Sequence, residues 1–212
     1  MFSIIEPHIK QNRAKFKQDP FGYSASAWLK WAVIQNVSGL SIDPERPPNS
    51  EDLKSPVLWL SHARAMSEAG VVVLKSEPAL DQMPDLLKGV CDSQYCAVGL
   101  MLVGFSLEIC LKAMLIIRLG ITTFVQEERK HRHHRLEELA EFVPNLSLKD
   151  KAILRMLTHF VVWAGRYPDP GSGRENKAEE IFNVAEQFEI SADDLFDLSV
   201  RVMGHTKQVV ET

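Results

Sequence analysis

Cysteine is scarce: Cys91, Cys96 and Cys110 are the only three, an odd number with no CxxC spacing. That pattern speaks against a disulfide framework, and it predicts buried thiols in a reducing, cytoplasmic compartment. An excess of positive charge is also missing. With 24 basic against 28 acidic side chains the formal charge is -4, so contact with nucleic acid or membrane would need a local basic patch. Long hydrophobic runs are lacking too. The longest, "YCAVGLMLVGFSL" from Tyr95 to Leu107, is too short to cross a bilayer, and Glu108 and Lys112 interrupt its continuation. The opening "MFSIIEPHIKQNRAKF" has no basic stretch before its short apolar run, so no signal peptide and no membrane association are expected. Alternating strand-like runs, internal repeats and low-complexity segments are scarce or missing.

What remains is the composition of a folded chain, 45% apolar and 25% charged over 212 residues, organised by helical periodicity. Ser24 to Val37 reads as one helix. The proline-rich stretch from Ile42 to Pro56 reads as a loop, because Pro44, Pro47 and Pro48 carry no amide donor. A long helix follows between Pro56 and Pro78, and "MPDLLKGV" adds at most a short turn. Asp92 or Ser93 is expected to cap a central apolar helix from about Gln94 to Leu119, closed by Gly120. Leu136, Leu139, Ala140 and Val143 recur at helical spacing before Pro144. Ser147 with Asp150, and Ser191 with Asp194, are spaced as capping boxes for two later helices, and a weaker helix spans Ala178 to Gln187. The expected fold is all-α: an N-terminal helical appendage and loop over 1–55, a bundle over 56–168, and a C-terminal loop and helix over 169–212.

Two places concentrate polar chemistry. Glu108 and Lys112 stand four apart in the most apolar helix, the favourable order for a helical ion pair, and neither charge can be buried alone. In "EERKHRHHRLEEL", seven consecutive positions hold Arg129, Lys130, Arg132 and Arg135 together with His131, His133 and His134. The four cations can each meet a phosphate, while Glu127, Glu128, Glu137, Glu138 and Glu141 can neutralise them locally. The histidines are adjacent or two apart, not at the spacing of a helical metal pair, so no metal site and no cofactor are expected.

The string "GFSLEICLKAMLIIRLG", then "HRL" with "EELAEFV", then a helix ending in "RYP" at Arg166 to Pro168, resembles the HEPN superfamily. The resemblance covers about half the chain, and its specific part is Gly104 to Pro168. It implies an antiparallel helical bundle, a homodimer, an association with RNA or nucleotides, and a setting in defence or toxin–antitoxin systems, often with a nucleotidyltransferase-type partner protein. It also implies that His134 is structural, capping backbone groups or hydrogen-bonding Glu108 on the central helix, with His131 and His133 exposed.

The family's nuclease activity is associated with an arginine followed four to six residues later by a histidine. Arg166 stands where that arginine is expected, but "YPDPGSGRENK" after it holds no histidine. Metal-free RNA cleavage needs a group that moves protons near neutral pH, which arginine does not do. Arg166 with Tyr167 is therefore expected to be an anion contact, and no catalytic residue is assigned. Arg129 with His134, Arg155 with His159 and Arg201 with His205 lie at incidental spacings or in the wrong place for that motif. Three readings stay open: an RNA- or nucleotide-associated protein with degraded nuclease chemistry, a non-catalytic helical interaction module, and a metal-independent RNase using His134 or His159.

Overall fold

A computed structural model of the chain describes residues 10–40, 42–43 and 45–211. The stretch read for a signal sequence, up to Ile9, and Pro44 of the proline-rich loop lie outside the described residues. Every regular element among the described residues is helical. The chain divides into two compact units, Met1–Leu58 and Trp59–Thr212.

The first unit opens with two short helices that were not expected, α1 (Arg13–Gln18) and α2 (Pro20–Ala25), and the helix expected over Ser24 to Val37 is α3 (Ala27–Val37). Asp19 stops α1 and caps α2 by accepting from Gly22 N at 2.9 Å, with Pro20 in the first turn where its missing amide costs nothing. A turn at Ser26, whose hydroxyl donates to Tyr23 O at 2.7 Å, separates α2 from α3. The proline-rich loop contains one helical turn, α4 (Ser50–Leu53), held by a capping box between Asn49 and Asp52. Arg46 clamps the same Asp52 carboxylate at 2.6 and 3.0 Å.

The second unit is built on α5 (Pro56–Lys75) and α6 (Asp85–Leu119). Helix α6 begins at Asp85, nine residues before the expected start, so Asp92 and Ser93 lie inside it rather than capping it. Pro84 sets the extended backbone before the first turn, Asp85 complements the helix dipole, and no breaker stronger than Gly89 comes after. With 35 residues and a mean hydropathy of 2.2 over its most apolar window, α6 is long and apolar enough to cross a bilayer by length and composition. More than half of that window is buried inside the protein, as in the core helix of a bundle.

Around α6 pack α9 (Leu136–Leu139), α10 (Leu148–His159) with the π-helical turn Phe160–Ala164 that continues it, and α12 (Ala192–Glu211). Two short helices, α7 (Ile121–Gln126) and α8 (Glu128–His131), link α6 to the basic segment, and α11 (Asn176–Gln187) packs on α10. Leu107, Leu111 and Met114 of α6 are fully buried with Leu136, Leu154, Val161, Leu198 and Val202. Each such side chain contributes about 1.5–3 kcal/mol through removal from water. The capping box of α10 is present in both directions, Asp150 N to Ser147 Oγ at 3.1 Å and Ser147 N to Asp150 Oδ2 at 2.8 Å. Asp150 also receives two hydrogen bonds from Arg201, which tie α10 to α12.

Only four residues of the Leu136 segment form α-helix; turns then carry the chain to Pro144, yet Leu136, Leu139, Ala140 and Val143 all reach the core. Two glycines mark where α6 is crossed closely. A Cβ on Gly104 would stand 2.6 Å from Val161 Cγ2, and one on Gly165 would stand 2.4 Å from Met101 Cβ. The cysteines are not uniformly buried: Cys110 is, with its thiol 3.4 Å from Thr206 Oγ1, but Cys91 is half-buried and Cys96 exposed. Burial pushes the Cys110 thiol up from its ordinary value.

Candidate functional site

Positions 104, 107, 108, 111 and 112 line one side of α6, and this side enters the core. Glu108 and Lys112 are drawn in with it, at 4% and 9% exposure. Their pairing is direct, Lys112 Nζ donating to Glu108 Oε1 at 2.7 Å. His134 completes the network from the segment before α9, its Nδ1 lying 2.9 Å from Glu108 Oε2 and 3.1 Å from Oε1. An ionised carboxylate only accepts, so Nδ1 carries the proton and donates. The imidazole is thereby oriented by a buried acid while its side chain stays 46% exposed. Two residues on, Leu136 N donates to Thr158 Oγ1 at 3.1 Å, which fixes the segment to α10 as well as to α6.

Arg166 reaches the same place from another direction. The π turn closes with Gly165 N donating to Phe160 O, five residues back, at 3.1 Å. This wider turn shifts the angular position of Gly165 and Arg166 around the helix axis. Arg166 then lies over the Phe105 ring at 4.9 Å from its centroid, and Phe105 meets the His134 ring edge-to-face at 6.2 Å. Arg166 and His134 are thus joined through one aromatic ring of α6. Among the described residues no carboxylate pairs with Arg166, and the guanidinium keeps its donors for solvent or an anion. Tyr167 is 61% exposed beside it.

The rest of the basic segment divides by partner. Lys130 pairs with Glu127 at 2.8 Å, Arg135 with Glu138 at 2.5 Å, and Arg132 approaches Glu128 at 4.0 Å. These pairs are exposed and worth about 0–1 kcal/mol each, so they do not lock the cations away. Arg129 is exposed, with no carboxylate partner among the described residues. The histidines differ from expectation. His134 is the most open of the three. His131 stacks on Phe124 at 5.3 Å with its Nε2 sealed from water, and the His133 side chain is only 21% exposed. Burial, then the Arg135 charge, holds the His133 imidazole below its ordinary value. Arg135 N donates to its Nδ1 at 3.2 Å, so the remaining proton sits on Nε2.

His159 is half-buried and takes a hydrogen bond from Trp163 Nε1 at 3.3 Å on Nδ1, with Glu180 at 3.6 Å from Nε2. Its neighbour at spacing four, Arg155, is exposed on α10, and Arg201 is committed to Asp150 while His205 bonds Gln208. No three His, Cys, Asp or Glu side chains gather in a metal-binding group among the described residues. Sequence reasoning missed Phe105, the ring that joins Arg166 to His134, and also Arg118, which lies over Phe142 at 4.8 Å. Arg118 sits in the last turn of a helix closed by Gly120, a signal that reads as dipole compensation alone.

The fold and site define an all-helical bundle with a buried Glu–Lys–His network opening onto an arginine-bearing surface. Compared with family models, curated proteins and solved structures, the chain finds no match in any of the three.

Proposed function

We propose that this chain is a HEPN-like RNA- or nucleotide-associated protein of a defence or toxin–antitoxin kind, lacking a complete nuclease site. The observation that carries the reading is the stack of Arg166 on Phe105 with His134 at the ring's edge. It presents an uncommitted guanidinium and a half-open imidazole on one surface, next to a segment whose Arg129, Lys130, Arg132 and Arg135 are exposed. Such a surface suits the phosphates of a single-stranded RNA, with Tyr167 available to stack on a base. A cytoplasmic homodimer, paired with a nucleotidyltransferase-type protein, belongs to the same proposal through the resemblance carried by Gly104 to Pro168.

The test is binding of labelled single-stranded RNA at several salt concentrations, read by fluorescence anisotropy. Binding should weaken steeply with salt, and Arg166→Ala should lower the salt slope by about one. No binding at low salt across RNA and nucleotides would remove the proposal.

One observation favours a protein-interaction module instead. The first turns of α6 expose Leu86, Leu87 and Val90 at 94%, 46% and 54%, a run of apolar surface suited to a second copy or another helix. Sedimentation of wild type against Leu86→Glu tests whether this face mates, and the RNA titration separates the readings, since self-association belongs to both and that change leaves the Arg166 surface alone.

A further inference from the structure

The molecule holds a second stack of the same composition, away from Arg166. Arg118 lies over Phe142 at 4.8 Å, and the Phe142 ring meets His205 of α12 at 6.3 Å between centroids. Arg118 and Phe142 form the common wall of two adjoining pockets. One, of about 490 Å³, is lined also by Lys130, His131, His133, Glu138 and Glu141. The other, of about 680 Å³, is lined by Ile117, Pro144, His205, Gln208, Val209 and Val210, with no carboxylate among these described residues.

Arg118 is exposed, and no described carboxylate or carbonyl takes its donors, so its planar fork is held by the ring and left open at its edge. His205 is fixed through Nδ1 to Gln208 Oε1 at 2.8 Å, and its other nitrogen has no described partner. Glu138, paired with Arg135, and Glu141 lie in the adjoining pocket and repel an anion there. The side whose described lining carries no acid, and which is lined also by Ile117, Val209 and Val210, is the one left for a negatively charged head on an uncharged body.

We infer that Arg118, seated on Phe142 with His205 beside it, is an anion site for a phosphomonoester carried on a body of nucleotide size. The site is separate from the RNA surface around Arg166 and does not depend on it. The same phosphomonoester can come from a free nucleotide or from the 5′ end of an RNA chain.

Titration of the full chain with AMP, followed by phosphorus NMR and calorimetry, should saturate, and adenosine, which lacks the anion, should bind at least roughly tenfold more weakly. Arg118→Gln should lose roughly tenfold or more in AMP affinity, and Arg118→Lys several-fold, because lysine keeps the charge but not the fork. Arg166→Ala should leave AMP binding unchanged while it weakens RNA binding, so this site and the RNA surface around Arg166 can fail independently. A short 5′-phosphorylated RNA that competes with AMP, where its 5′-hydroxyl twin does not, assigns the site to an RNA end; competition by neither, with AMP still bound through Arg118, assigns it to a free nucleotide. Either outcome supports the site. Equal affinity for AMP and adenosine, no saturation at millimolar AMP, or undiminished binding by Arg118→Gln overturns it. Should Arg118→Gln misfold by circular dichroism, undiminished binding by Arg118→Lys together with failure of inorganic phosphate to compete overturns it equally.

Discussion

Replacing Glu108 by leucine removes the one carboxylate that Lys112 meets among the described residues. Lys112 is 9% exposed with its ammonium 2.7 Å from Glu108 Oε1, so the substitution strands a cation in the core rather than merely deleting a contact. Breaking a buried pair in this way costs about 3–5 kcal/mol, with the lower end reached if the four-carbon stem carries the ammonium outward. For a folded unit of this size each kcal/mol moves the Tm by about 2–4 °C, so the melt should fall by roughly 6–20 °C. Glu108→Gln keeps the shape and one acceptor oxygen and should cost less, about 1.5–3 kcal/mol. The double variant Glu108→Leu with Lys112→Met removes both charges, and it should recover most of the loss. His134, about half exposed, can exchange its carboxylate partner for water. Guanidinium chloride unfolding followed by far-UV circular dichroism, with a common m value, measures all three. A loss below about 1 kcal/mol for Glu108→Leu, or a double variant no more stable than the single, would refute the reasoning.

Arg201→Gln should destabilise by about 1.5–3 kcal/mol, since it withdraws two charged hydrogen bonds from the buried Asp150 and unties α12 from α10; chemical denaturation reads the loss. Burial works to raise the Asp150 carboxyl, but Arg201 and Ser147 outweigh it and hold the group below its ordinary value. Gly104→Ala should cost about 1–3 kcal/mol, because its methyl meets Val161 at 2.6 Å, and the paired change Gly104→Ala with Val161→Ala should recover part of that cost. Burial holds His159 below its ordinary value of 6.5, with Lys177 and Arg155 adding to it against the pull of Glu180. The folded state therefore binds fewer protons than the unfolded chain in that range. Its contribution is complete above an unfolded value near 6.5 and is lost as pH falls toward the lower folded value. Thermal melts on either side of that window should show a smaller acid-side drop for His159→Asn than for wild type; an equal drop contradicts the assignment.

Much of the local structure was legible. Ser147 and Asp150, and Ser191 and Asp194, form their reciprocal bonds because such motifs need only residues three apart. The latter carboxyl, held by Lys149 and then by Ser191, is lowered to about 2. The Glu108–Lys112 pair was equally local, one helical turn long. The early start of α6 was not legible, because Asp92 and Ser93 look like caps whether or not the helix already exists. Nor was the break at Ser26, where a hydroxyl satisfies a carbonyl that a continuous helix would have used.

By itself the sequence determined the all-helical class, the core periodicity and the charge pair inside the apolar helix, since each depends on neighbours within a turn or two. Only the tertiary structure decided which polar groups share a surface. The π turn after His159 directs Arg166 onto Phe105, sixty-one positions earlier, and Phe142 places Arg118 beside His205. These ring contacts arise where helices cross, and crossing geometry is set by how the whole core packs, not by the spacing of residues along any one segment.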